Sequence, residues 1–102
     1  MINKIKNHRR ELSELCKRLK IRRLEVFGSA ATGEFEPDKS DVDFIVEFED
    51  PEAEPGLLSR YITLSEELSK LLGTEVEIIT PQSIRNPYFR RSVDRTRELV
   101  YG

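Results

Sequence analysis

The sequence of 102 residues contains a single cysteine, a single histidine and no tryptophan. The lone Cys16 excludes an internal disulfide, and no stretch approaches the roughly 20 apolar residues that a membrane-spanning helix requires. The first 20 residues alternate basic and apolar side chains and lack the continuous apolar run of a secretory signal. We therefore expect a cytoplasmic protein that does not associate with a membrane.

Charged residues make up 35% of the chain, and the two signs are unevenly distributed along it. Residues 1–23 carry nine Lys or Arg against two Glu, and residues 81–102 carry five against two acidic residues. The middle of the chain, residues 24–80, carries three basic against fifteen acidic residues. Such an acidic region opposes broad binding of nucleic acid and suits a site that concentrates cations.

The hydrophobic pattern predicts an α+β fold in the order helix, strand, glycine loop, strand, helix, strand and helix. Apolar residues at helical spacing predict long helices over residues 2–19, 57–72 and 87–100. Short branched or alternating segments predict strands over residues 21–27, 41–48 and 75–79. We expect a single domain over residues 1–102, with a small mixed three-stranded sheet and about four flanking helices. A two-stranded sheet with a longer helical bundle is the alternative.

Gly28 and Ser29 follow directly after the first predicted strand. Glycine lets the backbone approach a phosphate closely, and a helical turn beginning at Ser29 would direct free N–H groups toward an anion. Taken alone, a Gly-Ser pair after a strand is more often an ordinary turn.

Ser40 precedes two aspartates, Asp41 and Asp43, that open the strongest predicted strand. Aspartate is a poor strand former, and side chains at i and i+2 lie on one face of a strand, about 7 Å apart. Two such carboxylates can bracket one hard cation or share two. For an isolated pair of this kind, solvated acids on an exposed strand face are the more common explanation.

Together the two elements form the segment FGSAATGEFEPDKSDVDFIVEF, residues 27–48. This combination resembles the nucleotidyltransferase superfamily of DNA polymerase beta, and within it the minimal nucleotidyltransferases. The resemblance implies the nucleotidyltransferase fold. It also implies a reaction in which a hydroxyl attacks the α-phosphorus of an NTP and pyrophosphate leaves.

The resemblance also implies roles for individual residues. The nucleotide contacts fall on Gly28, Ser29 and Ser40. The catalytic carboxylates, which would hold two Mg²⁺ ions, fall on Asp41, Asp43 and Glu77.

Two positions depart from the family pattern. The third carboxylate is usually Asp, whereas this chain has Glu77, with Glu75 on the same strand face as an alternative ligand. An Arg usually precedes the second loop glycine, where this chain has Thr32. Lys39 or a C-terminal Arg is the alternative source of a cationic phosphate contact.

Minimal nucleotidyltransferases are commonly antitoxins whose partner is a HEPN-domain ribonuclease. The resemblance therefore implies transfer of AMP from ATP onto a hydroxyl of a HEPN toxin, a tyrosine in particular. A chain of 102 residues leaves little room for an acceptor domain, so we expect a partner to bring the acceptor.

Two alternatives stay open at this point. One is a decayed active site in a module that neutralises its partner by binding alone, which Glu77 and Thr32 favour. The other is transfer to a small molecule such as an aminoglycoside, or to RNA, which the missing acceptor domain opposes.

Overall fold

The computed structural model describes residues 1–34, 36 and 41–102. Within these residues the helices are α1 (Asn3–Lys6), α2 (Arg9–Arg18), α3 (Ser29–Thr32), α4 (Leu57–Leu72) and α5 (Pro87–Thr96). The strands are β1 (Ile21–Phe27), β2 (Val42–Phe48), β3 (Val76–Ile79) and β4 (Glu98–Tyr101). A short 3-10 turn, Pro81–Ser83, follows β3. The predicted α+β fold class is confirmed.

The four strands form one mixed sheet in the order β3-β2-β1-β4. β1 is antiparallel to both β2 and β4, whereas β2 and β3 are parallel. The parallel pair requires a crossover, and α4 supplies it by carrying the chain from the end of β2 back to the start of β3. The C-terminal end of β1 therefore lies at the same edge of the sheet as the first residues of β2 and β3.

The fourth strand is absent from the sequence prediction, which extended the last helix to residue 100. Helix α5 ends at Thr96, and Arg97 takes an extended conformation with φ −61° and ψ 135°. The next four residues pair with β1, placing Leu99 opposite Glu25. The pairing supplies hydrogen-bond partners to the main-chain groups along the edge of β1. This gain outweighs the weak helical preference of the short segment.

The predicted helix over residues 2–19 is interrupted. It forms two helices because His8 has φ −115° and ψ 22°, outside the helical region. The His8 ring Nδ1 lies 2.7 Å from the carbonyl oxygen of Lys4, so the side chain binds the end of α1. The two helices nevertheless keep the predicted apolar stripe buried, including Ile5, Leu12 and Cys16.

The sheet is covered on both faces. The larger apolar cluster packs α2 and α4 against one face, where Val42, Phe44 and Val46 of β2 are fully buried. A smaller cluster covers part of the opposite face and consists of Phe27, Ile45, Ile84 and Val93. None of the helices among the described residues is both long and apolar enough to cross a membrane.

Arg60, on α4, is a fully buried cation. Its guanidinium donates to the main-chain carbonyls of Glu49 and Asp50 at 2.7 Å and to that of Pro55 at 2.9 Å. It also lies 5.5 Å from the centre of the Phe48 ring. Main-chain carbonyls thus solvate the charge and attach the loop after β2 to the helix that follows it.

We expect Arg60→Met to lower the free energy of unfolding by about 3 kcal/mol or more. Methionine fills a similar volume but leaves three carbonyls without their donor, and buried polar groups that lose their partner are costly. Urea denaturation measures the change, with Lys70→Met on the exposed side of the same helix as the control. A loss for Arg60→Met no larger than that of the control would contradict this role.

Candidate functional site

The turn at Gly28 joins β1 to α3 at the edge where the first residues of β2 and β3 also lie. Gly28 has φ 71° and ψ −149°, a conformation that residues with a side chain rarely adopt. A Cβ atom at this position would lie 3.1 Å from Oδ2 of Asp43. The absence of a side chain therefore lets the main chain pass directly beside a carboxylate of the neighbouring strand.

Asp41 and Asp43 lie at the beginning of β2, with Asp43 in the strand and Asp41 just before it. Asp43 is the register partner of Phe27 on β1 and of Glu77 on β3. Its side chain is half-buried, whereas Asp41 and Glu77 are exposed. The structure thus brings together Gly28, Asp41, Asp43 and Glu77, which the sequence separates by up to 49 residues.

Electrostatics shows how closely the three carboxylates interact. The pKa of Asp43 is raised from 3.8 to about 6. The largest cause is burial, followed by the negative charge of Glu77 and then by that of Asp41. Glu75 precedes β3, and its carbonyl oxygen accepts the Val42 N–H at 3.2 Å. Within the described chain, Glu75 is not among the charges that raise the pKa of Asp43. Of the two glutamates left open by the sequence, the structure favours Glu77 as the neighbour of Asp43.

The donor set suits a hard divalent cation. Mg²⁺ prefers carboxylate oxygens, and a cation between these side chains would offset both the burial and the negative charges that raise the pKa of Asp43. In the described part of the chain, no three Asp, Glu, His or Cys side chains are already arranged closely enough to hold a metal ion.

We expect Asp43→Asn to stabilise the metal-free protein in a pH-dependent way. Because the folded pKa is raised, the native wild type retains a proton that the unfolded chain has lost, and it loses stability as pH rises from about 4 to about 6. Asparagine does not ionise. Above pH 6 the variant should exceed the wild type in unfolding free energy by about 1–2 kcal/mol, allowing for partial solvent screening.

Urea denaturation in EDTA at several pH values measures this difference. The two proteins should converge near pH 4, which serves as the internal control. A difference that is constant between pH 4 and pH 7 would contradict the raised pKa.

The structure describes only part of the predicted phosphate-binding region. Ser40 and Lys39 lie outside the described residues. Thr32 is exposed, and its hydroxyl donates to the Ser29 carbonyl at 3.4 Å, within the short helix α3. The residue in place of the family's usual Arg therefore contacts the short helix α3.

Sequence reasoning missed a polar cluster beside the turn. The hydroxyl oxygen of Thr96 accepts the Gly28 N–H at 2.9 Å. The next residue, Arg97, binds the buried Glu25 of β1 through two nitrogens, at 2.9 and 2.6 Å. Hydrogen bonding to Arg97 holds the pKa of Glu25 below its usual value, and Arg23 contributes less. The sequence does contain a signal for this cluster, because Glu25 is a charged residue between the apolar residues Leu24 and Val26 of a predicted strand.

In the sequence, the cluster of Arg90, Arg91, Arg95 and Arg97 favours a solvated helix face, with contact to the nucleotide or to a partner as the alternative. The first three are exposed, whereas Arg97 is partly buried, pairs with Glu25 and also contacts Asp94 at 2.8 Å. Arg97 differs from the other three because α5 ends one residue before it.

Comparison with known proteins shows which family the chain is similar to. Residues 5–100 match the family model of the nucleotidyltransferase domain. The protein adenylyltransferase MntA of Thermococcus cleftensis is 38% identical over 94 residues, which cover 92% of this chain and 84% of that protein. The range matched by the family model spans positions 41, 43 and 77.

Solved structures give the same result for the fold. One, described as a candidate minimal nucleotidyltransferase, is 33% identical, with a TM-score of 0.71 over 91% of this chain and 89% of that one. Another is the complex of a tri-AMPylated Shewanella oneidensis HEPN toxin with its MNT antitoxin. It is 17% identical, with a TM-score of 0.61 over 96% of this chain and 72% of that one, and shows the shared fold alone. The chain belongs to the nucleotidyltransferase domain family and, within it, to the minimal nucleotidyltransferases.

Proposed function

We propose that this protein transfers AMP from ATP to a tyrosine hydroxyl of a HEPN-domain toxin and thereby acts as its antitoxin. The observation that carries the proposal is the convergence of the Gly28 turn with the carboxylates of Asp43 and Glu77 at one edge of the sheet. The name of the T. cleftensis relative supports adenylyl transfer to a protein. The S. oneidensis complex supports a HEPN toxin as the acceptor.

Each residue of the site has a proposed role in the reaction. Asp41, Asp43 and Glu77 would hold two Mg²⁺ ions, which when bound neutralise phosphate charge and stabilise the attacking and leaving oxygens. The Gly28 turn allows the triphosphate to approach the main chain, and Ser29 and Ser40 are its proposed hydroxyl donors. The acceptor oxygen forms a bond to the α-phosphorus, the bond to the bridging oxygen of the β-phosphate breaks, and pyrophosphate leaves.

Glu77 is the carboxylate best placed to receive the proton of the acceptor hydroxyl. It is exposed and belongs to β3, which is an edge strand of the sheet. An exposed edge leaves room for the side chain of a second protein, whereas a small acceptor would require an enclosing pocket. The position of Glu77 therefore favours a macromolecular acceptor over an aminoglycoside.

Label transfer tests the proposal. The protein is incubated with a HEPN-domain protein as the candidate acceptor, Mg²⁺, and ATP labelled at either the α- or the γ-phosphate. We expect the acceptor to become labelled from α-labelled ATP only, and peptide mass spectrometry to locate the AMP on a tyrosine. A stable complex without label from any NTP would instead establish neutralisation by binding alone.

A further inference from the structure

The end of α5 lies against the Gly28 turn, although 68 residues separate Thr96 from Gly28 in the sequence. The Gly28 N–H donates to the Thr96 hydroxyl oxygen at 2.9 Å. The Gly28 amide is therefore already bound within the protein. The contribution of Gly28 to a nucleotide site is then the conformation of the turn, and whatever fixes that conformation affects the site.

The Thr96 hydroxyl is oriented as an acceptor. Its own proton is donated back along α5 to the Ser92 carbonyl at 3.0 Å. An oxygen whose proton is used in this way presents its lone pairs in the opposite direction, toward Gly28. The hydroxyl therefore connects the last turn of α5 to the turn between β1 and α3.

Residues near both ends of α5 also contact β1. Arg97 binds the buried Glu25 of β1 at 2.6 Å. Phe89, the third residue of α5, packs edge-to-face on Phe27 with ring centres 6.0 Å apart. Both ends of α5 are thus attached to β1, close to the residue that precedes Gly28.

We infer that Thr96 is a positioning residue for the nucleotide site: its hydroxyl holds the Gly28–Ser29 turn in the conformation that receives the triphosphate beside Asp43. This inference rests on the proposed function. It concerns binding of the nucleotide rather than the chemical step, because Thr96 contacts the turn through the Gly28 N–H. Loss of the contact should affect affinity for ATP more than the rate of transfer from bound ATP.

Thr96→Val and Thr96→Ser form a matched pair for the test. Valine keeps the shape but removes the acceptor, whereas serine keeps the hydroxyl. We expect Thr96→Val to raise the Kd for MgATP, measured by calorimetry on the whole protein, about tenfold, the scale of one hydrogen bond. Its kcat should stay within about twofold, and exchange of the Gly28 amide, followed by NMR, should become faster. Thr96→Ser should restore all three properties toward the wild type.

Ser83→Ala controls for the loss of a hydroxyl contact elsewhere, since Ser83 donates to the Thr80 carbonyl at 2.7 Å, at the opposite end of β3. It should leave the Kd for MgATP unchanged. Equal Kd values for wild type and Thr96→Val, or a Thr96→Ser variant as impaired as Thr96→Val, would overturn the inference alone. Wild-type protein that binds no MgATP would overturn the proposed function and this inference with it.

Discussion

The double replacement Asp41→Asn with Asp43→Asn is expected to abolish AMP transfer, with a rate at least about 10³-fold below that of the wild type. Removal of a single group that stabilises developing charge commonly costs 10²–10³ in rate, and this variant removes two. Asp43 is half-buried beside Gly28 and within the influence of Glu77, so it occupies the centre of the site. Label transfer from α-labelled ATP to the partner measures the loss.

The fold of this double variant should remain intact. Asp41 is exposed, and the repulsion on Asp43 disappears when both carboxylates are neutral. An inactive variant that is at least as stable as the wild type in urea would separate loss of chemistry from loss of structure. Retention of normal transfer by this variant would eliminate the carboxylates from the mechanism.

Glu77→Gln is expected to lower the rate of transfer by about 10²-fold or more while the affinity for MgATP changes little. A general base contributes about 10²–10⁴ in rate, and glutamine cannot accept the proton. Glu77 is exposed on the edge strand β3, and β2 lies between it and β1, which leads into the Gly28 turn that we assign to the triphosphate. The effect should therefore appear in kcat rather than in Kd, and single-turnover kinetics at saturating ATP measures it.

Glu75→Gln provides the matched control for this variant. Glu75 carries the same charge two residues earlier and is also exposed, yet only Glu77 is the register partner of Asp43. We expect Glu75→Gln to keep at least half of the wild-type rate. The reverse ranking would make Glu75 the third carboxylate, and Glu77→Asp tests in addition whether the family's usual residue supports the same rate.

The parts of the fold that the sequence predicts well are those with strong periodicity. The segment 57–72 has a continuous apolar stripe and ends at Gly73, and α4 occupies those same residues. Strand β1 likewise matches the prediction over residues 21–27. In both, local preference and burial favour the same conformation, so no long-range information is required.

The errors occur where a distant contact decides the conformation. Residues 98–101 form a strand because they pair with β1, more than 70 residues earlier in the sequence. Arg60 lies on the apolar stripe of α4 and is buried because main-chain carbonyls of the loop before α4 solvate it. Hydropathy alone assigns such a residue to the surface.

The candidate site shows the same division. Residue type and spacing are enough to find Asp41, Asp43 and the Gly28–Ser29 pair. Carboxylates suit a cation, and a glycine followed by a hydroxyl suits a phosphate. Their convergence, and the preference for Glu77 over Glu75, depend on strand register. Thr96 carries no chemical signal in the sequence, and its contact with Gly28 becomes visible only in three dimensions.

The most direct test of AMP transfer to a partner is the intact mass of that partner after co-expression. The HEPN protein is co-expressed in parallel with the wild type and with the Asp41→Asn, Asp43→Asn variant, and each complex is purified and analysed by mass spectrometry. We expect the partner from the wild-type complex to carry one or more whole AMP groups and the partner from the variant complex to carry none. An unmodified partner in both complexes, or an equally modified partner in both, would contradict catalysis by these carboxylates.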